Sequence, residues 1–218
     1  ADIPRGQTIK TVGFRGNEVG RSRIVKLPEN PLVKQINDFY YYKNHNEILW
    51  GRVSSVYEIF RRNAVFATVL LNGVNVRIED KDYFEPTFIF GNRYEALDEK
   101  GKTKFRSSRI KAQIGAIVPF VITNIYKDGD AIVVIGSRRK AMAKLRDIYF
   151  LHKETEGNNE IKVGDIINEA HVIVPLQYRV ILECCGVEIR PDAHDLGYER
   201  SFDCRDAFKP GDTIKNLR

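Results

Sequence analysis

The residues of this chain that could do chemistry are aromatics and cations interleaved along strand-like segments. Phe66, Arg77, Tyr83 and Phe84 fall in one stretch, and Tyr178, Arg179, Arg190, His194, Tyr198 and Arg200 in another. That mixture suits a single nucleic-acid strand, whose bases stack on aromatic rings while cations follow the phosphates. Arginine serves both needs, because its guanidinium plane stacks on a base and its donors meet phosphate. Between the two stretches the run from Arg138 to Arg146 (RRKAMAKLR), headed by Arg138, Arg139 and Lys140, carries five cations and no acid. A second basic run, Lys100, Lys102, Lys104, Arg106 and Arg109, surrounds Phe105. The competing readings are structural: core packing for Phe66 and Phe84, and a solvated face for the charge runs.

Catalytic and metal constellations are poor. His45, His152, His171 and His194 are far apart, with no two-histidine metal pattern. Cys184 and Cys185 are adjacent, so on a strand they point to opposite faces, which suits neither CxxC redox chemistry nor a zinc knuckle. No GxxxxGK[ST] or GxSxG motif occurs. A non-enzymatic binding protein without cofactor or metal is expected.

Composition points the same way. Lys plus Arg number 35 against 29 Asp plus Glu, a net charge of +6, which favours an anionic partner. The 218 residues are 43% hydrophobic, ample for one large core or two small ones. Three cysteines make an odd number without framework spacing, and no apolar stretch is long enough to span a bilayer. A soluble cytoplasmic protein with no membrane partner is expected. The chain begins at Ala1 without Met and stops at Arg218 within a strand-like run, the pattern of a piece of something longer.

The elements that must position these residues are mostly strands. Residues 1–30 read as a glycine-containing arm. Leu32, Val33, Ile36, Phe39 and Tyr40 recur at helical spacing behind an Asn30 cap and Pro31, which places a short helix over Pro31–Lys43. Short β-branched runs follow (ILWGRVSSVYEI, AVFATVLL, GVNVRI, AIVPFVITNIY, AIVVIGS), the last two joined by the hairpin signal Lys127-Asp128-Gly129-Asp130. A short helix is expected over 139–149 and a polar linker over 152–160. Strands then resume with DIINEAHVIVP, YRVILEC, GVEIR and DTIKNLR.

That resumption is a repeat. Gly73-Val74-Asn75-Val76-Arg77-Ile78-Glu79 aligns with Gly186-Val187-Glu188-Ile189-Arg190-Pro191-Asp192, 113 residues later. Each block leads by a variable segment to a second glycine, Gly115 or Gly211, 42 residues on in the first copy and 25 in the second. The first copy therefore carries a 17-residue insertion between its third and fourth strands, near 85–110. Two copies of a five-strand unit describe a pair of small Greek-key barrels.

The order of motifs resembles the OB-fold RNA-binding domain named after bacterial ribosomal protein S-one. Gly136-Ser137-Arg138-Arg139-Lys140-Ala141 is similar to the Leu-Ser-Arg-Arg-Lys-Ala ending of that domain. Val163-Gly164-Asp165-Ile166 and Pro210-Gly211-Asp212-Thr213-Ile214 are similar to its strand-opening turns. Two departures stand out: the second copy stops after its fourth strand, and Arg77 and Arg190 stand where the family usually carries an aromatic. The resemblance implies a mainly β protein: arm and helix over 1–46, a first OB-fold barrel over 47–151, and an incomplete second barrel over 161–218. It also implies single-stranded RNA as ligand, with single-stranded DNA as an alternative. The site it implies comprises Phe66, Arg77, Tyr83, Arg138, Arg139, Lys140, Tyr178, Arg179, Arg190, His194 and Tyr198. A different class of function, a protein-interaction adaptor in a ribosome-associated, viral or mobile-element assembly, fits the same composition. For the insertion, the early apolar cluster Phe88, Ile89, Phe90, Tyr94 and Leu97 is expected to pack on the barrel. The basic run that follows is expected as an exposed loop with at most a short helix.

Overall fold

The computed structural model describes residues 31–84, 91–129, 131–151 and 161–217. The arm over 1–30 with Asn30, the linker over 152–160 and the cluster Phe88 to Phe90 lie outside these residues. Helix α1 (Pro31–Asn44) starts at the proline and turns Phe39 into the main core. Five strands follow: β1 (Leu49–Ile59), β2 (Ala64–Leu71), β3 (Val74–Glu79) and, after helices α2 (Asp80–Tyr83), α3 (Asn92–Glu95) and α4 (Glu99–Lys111), β4 (Ile117–Asp128) and β5 (Ala131–Ser137). They close into a ring in the order β1-β2-β3-β5-β4. All pairs are antiparallel except β3 with β5. The alternation in the sequence does what a pleated strand requires: Val65, Ala67, Val69, Val76 and Ile78 fill the ring, while Phe66, Thr68 and Arg77 turn outward. Helix α5 (Arg138–Arg146) continues directly from β5 and runs into a π-helical turn over Asp147–Leu151.

The remaining strands, β6 (Ile167–Pro175), β7 (Val180–Cys184), β8 (Val187–Ile189) and, after helix α6 (Cys204–Ala207), β9 (Thr213–Leu217), form a second sheet in the order β8-β7-β6-β9. Its pairings copy those of β1 to β4. Shifted by the 113 residues between Gly73 and Gly186, Val69↔Val76 becomes Leu182↔Ile189 and Leu71↔Val74 becomes Cys184↔Val187. The isolated bridge Arg179↔Asp192 takes the place of Phe66↔Glu79. Even the irregularity repeats, since register slips between Val53 and Ser55 against β2 and between Val172 and Val174 against β7. The turns match too: Asn72 and Gly73 have φ of 49° and 82°, Cys185 and Gly186 have 51° and 85°. This tight hairpin demands a positive φ at both central positions, which explains why glycine stands at the second of them in each copy.

The copies part at the end. Strand β9 runs five residues where β4 runs twelve, and among the described residues no strand corresponds to β5. Ile189 and Leu217 are half-buried in consequence, whereas their counterparts Val76 and Val121, which pair with β5, are buried.

The insertion departs from expectation. In place of a basic loop with at most a short helix, residues 99–111 form the 13-residue α4, which packs on β1 and β2. Asp98 caps it, accepting from the Gly101 amide at 2.8 Å. Arg109 and Lys111 lie in its last turn, where cations suit the helix dipole. Its buried face is Thr103, Ser107 and Ile110, at helical spacing but only one-third aliphatic, so no hydrophobic periodicity betrayed it. Arg106 locks the helix down, donating to Asp80 and to the Tyr94 hydroxyl at 2.6 Å each and to the Asn63 carbonyl. It is structural rather than a phosphate contact. Lys102 is half-buried beside Tyr94, and Lys104 is exposed.

Candidate nucleic-acid interface

The outward face of the ring carries the arrangement that best suits a single strand. Tyr57 on β1 and Phe66 on β2 are register partners whose rings stack, with centroids 5.2 Å apart and planes 11° from parallel. One step along the sheet lies Thr68, paired with Arg77, and Arg77 pairs in turn with Ile135 on β5. Tyr126 on β4, 44% exposed, completes the patch. Partial burial raises the Tyr57 hydroxyl above its usual pKa, the Arg77 guanidinium opposes that, and Tyr126 adds to it, so the three groups share one field. At the tip of the β1–β2 hairpin, Phe60, Arg61 and Arg62 are exposed, and Lys127 is exposed at the β4–β5 hairpin. Two aromatic platforms bordered by cations are what a base-stacking, phosphate-following surface needs.

Tyr57 and Tyr126 were missed by sequence reasoning, and the reason is local. Strict alternation from the buried Val53 would place Tyr57 inside the ring. The bulge between Val53 and Ser55 reverses the alternation, so Val56 packs on the core and Tyr57 joins Phe66 outside. Tyr126 is legible in principle, being one residue beyond the buried Ile125 on an alternating strand.

Three expected contacts from the first copy change character. Tyr83 is fully buried, its hydroxyl donating to Gln113 Oε1 at 2.7 Å, and burial pushes that hydroxyl's pKa well above normal. It is a core residue and offers no platform to a base. Arg138 is 2% exposed. Its guanidinium lies 5.2 Å from the centre of the Tyr83 ring and donates from Nη2 to Glu188 Oε1 at 2.9 Å, reaching from the ring to the second sheet. A buried arginine without such a partner would be prohibitively costly, so this residue is a strut and not a phosphate ligand. Arg139 faces Asp82 at 3.5 Å, and of the three only Lys140 is exposed, its backbone amide donating to Ser137 Oγ at 3.3 Å.

Helix α5 as a whole makes the seam. Its Arg146 donates to the Gly186 carbonyl at 3.0 Å, and a Cβ on Gly186 would collide with the Met142 carbonyl and the Arg146 amide. From the second sheet, Ile173, Val174 and Ile181 join the core cluster of the ring. Glu183, fully buried on β7, accepts from the Gly186 amide at 3.0 Å, and burial pushes its carboxyl up to about 7 against the pull of that amide and of Arg138.

The second-copy candidates gather at the far end of their sheet. The Tyr178 carbonyl accepts from the Ala193 amide at 2.9 Å, which brings Tyr178, 51% exposed, next to the exposed His194. Tyr198 stacks on Phe202 with centroids 4.4 Å apart. Acids answer the cations here: Arg179 faces Asp192 at 3.3 Å, and Arg205 is held by Asp203. Arg190 is exposed at the position equivalent to Arg77. Among the described residues, no group of three or more His, Cys, Asp or Glu side chains could hold a metal ion, and no helix is long and apolar enough to cross a membrane. No protein-family model matches the chain, and no curated protein matches it with significance.

Proposed function

We propose that this protein binds single-stranded nucleic acid, RNA in the first place, on the outward face of its five-stranded ring. Bases lie on the Tyr57–Phe66 pair and on Tyr126, and Arg77 with Arg61 and Arg62 follows the backbone. The observation that carries the reading is the stacked, half-buried Tyr57–Phe66 pair on the outward face beside the exposed Arg77. Supporting it are the ring order, which is compatible with the OB-fold suggested by the sequence, and the net charge of +6. The far cluster of Tyr178, Arg179, His194 and Tyr198 is a weaker second surface, because its cations are already paired with carboxylates.

Fluorescence anisotropy of labelled oligo(U) and oligo(dT) with the full chain, at low and moderate salt, tests this. RNA affinity should fall with added salt, and oligo(dT) should bind more weakly. Phe66→Ala should cost about 1–3 kcal/mol of affinity with little change in the salt slope, the loss of one stacking platform. A chain that binds neither oligonucleotide at low salt would overturn the proposal and favour the adaptor reading.

A further inference from the structure

A groove of about 850 Å³ runs along the seam between ring and second sheet. Trp50 from β1, Tyr149 from the π-helical turn and His171 from β6 supply its rings, and Asp165, Glu169 and Glu183 its charges. Trp50 is 37% exposed and tilts against the His171 ring with centroids 4.8 Å apart. Burial lowers the pKa of His171, which keeps that ring neutral near pH 7. Among the described lining residues there is no Lys or Arg, although the chain as a whole carries +6. The sign of the groove is thus opposite to that of the protein, and the exposed carboxylates of Asp165 and Glu169 repel a phosphate backbone. This site cannot be an extension of the nucleic-acid face.

The second observation is Glu183. The residue lines the groove and its side chain is fully buried; Oε1 accepts from the Gly186 amide, and Oε2 has no hydrogen-bond partner among the described residues. Such an atom costs free energy until a donor reaches it. We infer that the groove binds the guanidinium of an arginine side chain carried by a partner polypeptide. The flat cation stacks on Trp50, and its fork of donors meets the carboxylates of the groove. A peptide-linked arginine fits better than the free amino acid, whose own carboxylate would face Asp165, Glu169 and Glu183.

Trp50 is the only tryptophan of the chain, so its emission reports on this groove alone. The full chain would be titrated at pH 8 with capped Gly-Arg-Gly, capped Gly-citrulline-Gly as the neutral isostere, and free arginine. The expected result is a saturable change in Trp50 emission with the arginine peptide, at least tenfold tighter than with the citrulline peptide and tighter than with free arginine. Glu183→Gln should weaken it about tenfold. Glu169→Gln, an exposed change that leaves the core intact, should weaken it severalfold, so the inference remains testable should the buried variant unfold. Equal responses to arginine and citrulline peptides, or none, would overturn the cation site. Free arginine binding as tightly as the peptide would overturn the polypeptide source, and displacement of the peptide by oligo(U) would return the groove to the nucleic-acid surface.

Discussion

Phe66 and Arg179 occupy the same position of the same register, as do Thr68 and Ile181, yet the faces they belong to have opposite fates. In the ring, the outward side of β2 and β3 meets no second sheet and presents the half-buried Phe66 and the exposed Arg77 beside Tyr57. In the second sheet, the outward side of β7 turns toward the ring: Ile181 enters the ring's core cluster and Glu183 sits buried near Arg138. Equal strand pairing, bulge and turns therefore do not imply equal function. A sheet face binds a ligand only where nothing in the molecule has already covered it, and here α5 together with the ring wall covers the second copy.

The largest effect should come from the strut across that seam. Arg138→Ala leaves Glu188 without its partner and Glu183 further from any positive charge, and should cost about 3–5 kcal/mol in denaturant unfolding. Affinity for oligo(U), measured where the variant is folded, should not change. A stable variant with lost RNA affinity would put Arg138 back on the binding surface.

Next in size is the pH dependence of Glu183. Its folded pKa, pushed up to about 7, lies above the ordinary value of 4.5, so the folded state prefers the protonated form. The favourable contribution is complete below pH 4.5 and is lost as pH rises through 7, roughly 3 kcal/mol in all. Arg138 and Glu188 face the same carboxyl, and the backbone amide of Gly186 holds it. Denaturant midpoints of wild type and Glu183→Gln, followed from about pH 5 to about pH 8, should lie close at the acid end, separate as pH rises to about 7 and stay apart above it, the wild type being the less stable there. Parallel curves would mean that Glu183 titrates normally.

The two hairpin glycines sharpen the comparison further. Gly73→Ala meets nothing but its own positive φ and should cost about 1–2 kcal/mol. Gly186→Ala carries the same backbone strain and also drives a methyl into α5, adding roughly 1–3 kcal/mol. Similar melting temperatures for the two variants would show that α5 is not seated on the second sheet.

The smallest expected effect separates the equivalent arginines. Arg77→Ala should flatten the salt dependence of oligo(U) binding by roughly 0.7 in log–log slope, one phosphate contact on a single strand. Arg190→Ala, on the copy whose β7 face is covered, should leave the slope unchanged. Equal changes would make the two sheets functionally alike after all.

Much of this architecture is written locally and could be read without coordinates. The repeat at 113 residues, the Asp128-Gly129 hairpin, the helix starting at Pro31 and the four strands that the second copy shows among the described residues all follow from alternation, glycine spacing and proline placement. These depend on a residue and its near neighbours, and such signals survive in one dimension. What tertiary structure alone decided depends on pairs far apart in the chain. Arg138 looks like part of a solvated basic run until Glu188, 50 residues away, closes on it in the dry seam. Tyr57 changes sides because of one slipped residue in β1, and α4 forms on a face of Thr103, Ser107 and Ile110 that is buried because the ring wall is there to receive it. Alternation marks that a strand has two faces. Which one stays wet is settled by whatever packs against it, and that information is not local.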